Sequence, residues 1–397
     1  MTLRFTQEEL KNRIRSLQAH LVENKIDVAI LSQSSDVFYY SGSVQPLYVV
    51  IPADNDAFAL ARKGLTRMRW EIEHIEIEAF SGGKDLSRIF AKRRLVGSRR
   101  VGLTLDTLSY LSTMRMMKVF PDGVPEDIAW DVRMLRAVKS ESEIAIQKEA
   151  ARIMAKTPDV VRQALVEGIT ELELSAVLES HYRLNGNGVV VPSRREGVDA
   201  LGFGACSSGI NSLAGTKFEG ICAGAGLSPG TPYGASRDVI KQCTPIIIDF
   251  AFNLYGYIVD QTRMASIGTP DSEVLRAYDI MQEIESAIFD AMKPGAVWEN
   301  IYNLAVEMAS EAGFADTFMG SGTERVRFVG HGVGLELDEP PYLAFGMKYE
   351  LQEGMVIAVE PKVALPGIGI VGIEDTVVVR ESGVEPMTFA SKDFIVA

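Results

Sequence analysis

Apolar positions change period several times along the chain, and each change predicts an element. Leu10, Ile14, Leu17 and Leu21 recur at helical spacing behind Thr6-Gln7-Glu8-Glu9, which reads as a capping box, so an amphipathic helix is expected first. Val28 to Leu31 and Leu47 to Ile51 are short continuous apolar runs of the kind that form buried strands. The polar and aromatic stretch S-S-D-V-F-Y-Y-S-G between them reads as a loop. Strand and helix signals alternate to about Arg136, which predicts a compact α/β domain. Lys139-Ser140 is the expected domain junction, because Ser140-Glu141-Ser142-Glu143 is a second capping box opening a long helix. Thr170-Glu171-Leu172-Glu173 starts a third capped helix, running to about Leu184 and stopped by Asn185-Gly186-Asn187-Gly188. Asp271 to Met292 and Trp298 to Ala312 predict two more amphipathic helices, parted by Pro294-Gly295.

Between and after these helices the period falls to that of strands. Pro245 to Met264 reads as a hairpin about the turn-like Asn253-Leu254-Tyr255-Gly256. A symmetric turn there sets Asp249 directly opposite Asp260, with Cβ atoms roughly 4.5–5.5 Å apart, where like charges repel unless a cation lies between them. Past Gly320 the chain is glycine-rich and strand-like, with His331 in G-H-G. Met355 to Val379 then reads as a second hairpin about Pro366-Gly367-Ile368, and the same symmetry sets Glu360 opposite Glu374. Four carboxylates and one imidazole on apolar strands suit divalent cations such as Mn²⁺, Co²⁺, Fe²⁺ or Zn²⁺; Mg²⁺ recruits imidazole less often. Four partly buried negative charges would be costly without counter-charge.

Composition narrows the remaining classes. The 397 residues exceed one ordinary core, and 40 basic against 53 acidic side chains give a net charge of −13. That balance argues against nucleic acid or an anionic membrane as partner. No apolar run approaches a membrane span and the N-terminus lacks the apolar core of a signal peptide, so a cytoplasmic protein is expected. Cys206, Cys222 and Cys243 are too scattered for a disulfide framework and are expected to be small buried hydrophobes. The basic clusters at Lys92-Arg93-Arg94 and Arg99-Arg100 are expected to be solvated surface. Of the four histidines, His20 is expected at a helix edge, His181 in a structural role and His331 at the centre.

The motifs I-D-F-A…G-Y-I-V-D-Q-T-R, V-G-H-G-V-G-L-E, V-E-P and G-I-E-D-T resemble those of the pita-bread metallopeptidases: Xaa-Pro aminopeptidases, prolidases and methionine aminopeptidases. The resemblance spans nearly the whole chain. It implies an α+β protein with a creatinase/prolidase-type α/β domain over 1–138 and a pita-bread catalytic domain over 139–397, whose curved, mainly antiparallel sheet is covered by helices. It further implies two divalent ions per chain, bridged by Asp260 and Glu374. Asp249 would chelate one, and His331 with Glu360 would hold the other. An amide would be attacked by activated water, with Glu360 carrying the proton, in a homodimer acting on small peptides.

Three positions depart from that pattern. Gly215 stands where relatives carry a histidine after S-G-x-N, Asp338 where they carry the histidine of G-L-E-x-H-E-x-P, and Gly372 where many Xaa-Pro enzymes carry an arginine. Asp338 adds negative charge to the expected substrate shell, and the missing arginine weakens recognition of a free carboxylate. An Xaa-Pro peptidase is therefore the first expectation. A hydrolase or lyase of the same fold acting on a small cationic metabolite is the second, and a binding or scaffold protein the third.

Overall fold

The computed structural model describes residues 5–188, 191–194, 204–217, 220–221 and 224–397. The chain divides into two compact units, Met1–Arg136 and Ala137–Ala397. In the first, β1 (Val28–Leu31), β2 (Tyr48–Pro52), β3 (Phe58–Ala61), β4 (Glu76–Ala79), β5 (Arg100–Leu103) and β6 (Val124–Asp127) form one mixed sheet in the order β4-β3-β2-β1-β5-β6. Val28, Ile30, Phe58, Phe90 and Phe120 are buried together as its core. The first helix, Gln7–Glu23, buries the expected Leu10, Ile14, Leu17 and Leu21. Thr6 Oγ1 accepts from the Glu9 amide at 3.1 Å, while the Glu9 carboxylate pairs with Arg13 at 2.9 Å.

The stretch expected as a loop is a helix, Ser34–Ser41. Gln33 caps it by accepting from the Ser35 and Asp36 amides, and Gly42 ends it at φ 74°. Its polar composition is explained by the buried ion pair of Asp36 with Arg136 at 2.7 Å, which makes an inward-facing aspartate tolerable. The basic clusters lie along the sheet margin: Arg93 pairs with Glu76 and Glu78 at 2.6 and 3.0 Å, and Arg100 with Glu126 at 2.9 Å.

Among the described residues the second unit holds three sheets. β7 (Gly204–Ser208), β8 (Ile246–Leu254) and β9 (Tyr257–Ser266) join the C-terminal β17 (Ile395–Val396) in the order β17-β9-β8-β7. β10 (Phe328–Gly332), β11 (Glu339–Ala344), β12 (Val356–Val359), β15 (Asp375–Arg380) and β16 (Gly383–Pro386) form an antiparallel sheet ordered β11-β10-β12-β15-β16. β13 (Lys362–Leu365) and β14 (Gly369–Gly372) make a separate pair. The helices Glu141–Met154 and Glu171–Leu184 open with complete capping boxes at Ser140 and Thr170. Gln147, buried on the first of these, donates to Ile258 O at 2.7 Å and Val333 O at 3.2 Å, joining β9 to the segment after β10. The unit also contains the helices Thr157–Ala164, Ser272–Ala291 and Trp298–Glu311. No helix among the described residues is long and apolar enough to cross a membrane. Cys206 is buried as expected, Cys243 is exposed in a positive-φ turn, and Cys222 lies outside the described residues.

Candidate metal centre

The first hairpin turns one residue later than symmetry about Asn253–Gly256 predicts, which raises the pairing sum by two. Leu254 pairs with Tyr257, so the turn is Tyr255-Gly256, both at positive φ (53° and 95°). Asn253 Oδ1 accepts from the Gly256 amide at 2.9 Å and holds that tighter turn. Asp260 consequently faces Ala251, and Asp249 faces Thr262; the two aspartates are not directly opposed. A slip in this pairing sum of two keeps the side-chain parity. Both carboxylates therefore remain on one face, on diagonal residues whose Cα atoms lie roughly 7–8 Å apart by strand geometry.

The second hairpin keeps its expected register and is interrupted at the expected pair. Lys362↔Gly372 through Leu365↔Gly369 form one ladder, and Val356↔Val378 through Val359↔Asp375 continue the same register in another sheet. Glu360 and Glu374 sit at the break. Glu360 N donates instead to Val329 O at 2.9 Å, and Glu374 forms a lone antiparallel bridge with Thr262 on β9. Such an interruption re-aims side chains out of the regular ladder. His331 pairs with Ala358 and Tyr342 in the middle of its sheet. The glycines beside it are required by close strand approach: a Cβ at Gly332 would lie 2.3 Å from Pro340 O.

These segments bring the five expected residues together. Asp260, His331 and Glu374 are buried, and each offers a ligand atom within 4.8 Å of the others. His331 Nε2 lies 3.4 Å from Glu360 Oε1. The cluster contains a sixth charged group that the motif reading missed. Lys362, fully buried, places Nζ 3.1 Å from Asp249 Oδ2, 2.6 Å from Glu360 Oε2 and 3.1 Å from Glu374 Oε2. Its signal was available: Lys362 is two residues from Glu360, on the same face of an extended chain, and opposite Gly372 in the expected register. A Cβ at Gly372 would lie 2.3 Å from Lys362 Cγ, so the glycine makes the lane through which the lysine stem passes.

Two further residues hold the centre in place. Thr262 Oγ1 donates to Glu374 Oε2 at 2.8 Å. Arg263, on the opposite face of β9 and fully buried, donates to Glu374 O and Thr262 O at 2.9 and 2.8 Å and to Asp375 Oδ1 at 2.8 Å. The T-R of D-Q-T-R thus braces the last glutamate from both sides. Of the departing positions, Asp338 is buried near His331, and Gly215 is exposed with Glu324 Oε2 only 2.1 Å from where its Cβ would be. A carboxylate therefore lies against the position of the first missing histidine. The remaining histidines serve elsewhere: His20 lies 3.5 Å from Asp131, His74 bonds Tyr40 O at 2.9 Å, and His181 packs on Tyr182.

Electrostatics show a centre short of positive charge. Burial, reinforced by Asp249, raises the Asp260 carboxyl to about 7. Burial and the charge of Asp260 push Glu374 well above the carboxylate range. Burial would also raise Glu360, but the charge of Lys362 and the hydrogen bond from His331 outweigh it and hold Glu360 at about 2. For His331, burial is overcome by the Glu360 hydrogen bond and by the charges of Asp338, Glu360 and Glu374, and its pKa rises to about 10. Glu374 Oε1 is buried with no hydrogen-bond partner among the described residues. An orphaned carboxylate oxygen beside Asp260 and an imidazole fits one divalent cation.

A buried carboxylate–imidazole centre of this kind, on a two-unit α+β chain, belongs to metal-dependent hydrolases. Residues 145–381 match the Metallopeptidase family M24, and residues 13–138 match the Creatinase/Prolidase N-terminal domain. The chain belongs to that metallopeptidase family. It is 27% identical over 394 residues to the Xaa-Pro dipeptidase of Pyrococcus furiosus, covering 97% of this chain and 100% of the relative. Its structure matches the Xaa-Pro dipeptidase from Bacillus anthracis with a TM-score of 0.81 at 26% identity, over 98% and 100% of the two chains. It matches the prolidase from Pyrococcus horikoshii OT3 with a TM-score of 0.80 at 25% identity, over 97% and 100%. The pita-bread fold expected from the motifs is thus the fold of its structural neighbours.

Proposed function

We propose that the chain is a metal-dependent Xaa-Pro peptidase that hydrolyses short peptides at Asp260, His331, Glu360 and Glu374. The observation that carries this reading is the convergence of Asp260, His331 and Glu374 within 4.8 Å, with Glu374 Oε1 unpartnered, in a chain similar along its length to Xaa-Pro dipeptidases. The donor set favours Mn²⁺, Co²⁺, Fe²⁺ or Zn²⁺. Such an ion supplies Lewis-acid activation of water and polarises the scissile carbonyl.

The chain's own groups divide the rest of the work. Thr262 and Arg263 fix the Glu374 carboxylate and backbone, so its free oxygen is aimed without reorganisation. Glu360 accepts a proton from the attacking water and passes it towards the leaving nitrogen. The Lys362 ammonium at 2.6 Å keeps Glu360 ionised, the form able to accept that proton, but also makes it a weaker base. Asp338 and Glu324 make the substrate shell anionic, which suits a peptide's protonated amine better than its carboxylate. An assay of Mn²⁺- and Co²⁺-loaded protein against Xaa-Pro dipeptides and longer Xaa-Pro peptides tests the reading. Release of the first residue from the longer peptides is expected to exceed dipeptide cleavage. No turnover of any Xaa-Pro bond by metal-loaded protein refutes it.

A further inference from the structure

We propose that Lys362 is a built-in cation: its ammonium fills one of the two positive positions of the centre, and the chain takes a single divalent ion held by Asp260, His331 and Glu374. An ammonium has three N–H donors and no acceptor. This one lies 2.6–3.1 Å from oxygens of three carboxylates carried by three separate segments: Asp249 on β8, Glu360 after β12 and Glu374 after β14. A divalent ion in a two-ion centre would collect oxygens from separate segments in the same way. The lysine cannot vacate the position by turning to solvent, because it is fully buried and its stem runs over Gly372, where a Cβ would come within 2.3 Å of Cγ.

Asp249 identifies which position is filled. It is the carboxylate assigned to one ion alone in the two-ion arrangement, and its Oδ2 is bonded by Nζ. A dication bound there would have to lie in contact with the ammonium. The opposite side is different. Asp260, His331 and the unpartnered Glu374 Oε1 converge without the lysine between them. In the metal-binding form, with all four carboxylates ionised and the imidazole neutral, four carboxylates and one ammonium carry −3, which one dication reduces and does not reverse.

The test counts Mn²⁺ on chelator-stripped full-length protein after equilibrium dialysis, by elemental analysis, together with the Mn²⁺ electron paramagnetic resonance spectrum. One ion per chain with the hyperfine pattern of an isolated ion is expected. Two ions, a spin-coupled pair, or no ion overturns the proposal. Folded Lys362→Met is expected to take up a second ion, and a count still at one would overturn it. Asp249→Asn does not depend on the behaviour of that variant: it should still bind one ion, and losing it would make Asp249 a ligand of that ion and overturn the assignment. The inference rests on the metal-dependent reading only for the presence of an ion. Absent peptide turnover with one Mn²⁺ bound removes the proposed substrate and leaves the lysine's role standing, whereas a count of two does the reverse.

Discussion

Lys362→Met keeps a side chain of the length of the lysine stem and removes the ammonium, so it measures what the ammonium contributes to the metal-free fold. The wild-type ammonium answers Asp249, Glu360 and Glu374 at 3.1, 2.6 and 3.1 Å, and Asp260 is the fourth carboxylate of the cluster. Removing one partner of a buried ion pair costs roughly 3–5 kcal/mol. Here one substitution uncovers three carboxylates, while methionine retains the packing of the stem along Gly372. Proton uptake limits the loss. Asp260 already titrates at about 7 and Glu374 well above its ordinary range, so at mildly acidic pH much of the repulsion is discharged. The expected result is a destabilisation of about 3–5 kcal/mol near pH 8 that shrinks to less than about half near pH 5. Urea unfolding of chelator-treated protein measures it, and hydrogen exchange of the β9 amides reports the second unit separately from the first. A loss below about 0.5 kcal/mol near pH 8, within the range of an ordinary surface change, would refute the claim that the carboxylates depend on the ammonium. An equal loss at both pH values would refute the protonation argument.

Other perturbations probe the same centre from different sides. Metal uptake near pH 6 is expected to release protons, because Asp260 is protonated below about 7 and must ionise to bind; calorimetry in buffers of differing ionisation heat checks this, and uptake with no proton release contradicts it. The raised pKa of Asp260 gives stability present below its unfolded value of about 3.9 and lost as pH rises through about 7, so metal-free wild type should lose stability across that window relative to Asp260→Asn. Thr262→Val removes the hydroxyl that holds Glu374 Oε2 at 2.8 Å and should weaken Mn²⁺ binding about 10–100-fold; unchanged affinity in a titration counts against its positioning role. Gly372→Ala forces a Cβ to 2.3 Å from Lys362 Cγ and 2.7 Å from Pro361 O, and should destabilise the second unit by about 1–3 kcal/mol in urea.

Much of the centre was readable because β-structure repeats every two residues. The turn of the first hairpin was misplaced, yet Asp249 and Asp260 stayed on one face, since the slip did not change parity. The second hairpin needed only its Pro366-Gly367-Ile368 turn, and its register runs unchanged through the interruption that frees Glu360 and Glu374. Local composition misled where a tertiary partner decided the outcome. Ser34–Ser41 reads as a loop until Arg136, a hundred residues away, neutralises Asp36. Gly215 reads as a vacant histidine position, and the carboxylate of Glu324 that lies against it comes from a distant 3₁₀ turn with no motif of its own.

Lys362 shows why a ligand motif is not a cation count. Each carboxylate in the motifs is informative because its residue type is unusual on a buried strand, whereas a lysine following V-E-P reads as the solvated end of one. Its meaning lies in placement: the same face as Glu360, opposite a glycine that opens a path for its stem, and aimed at the aspartate that a second ion would need. Relatives at 25–27% identity share the fold and most of its length, and a change of a single residue can leave every metal-binding carboxylate in its place while altering what neutralises it. The carboxylates set the amount of negative charge to be answered. Whether a metal or the chain's own ammonium answers it is decided by the third dimension.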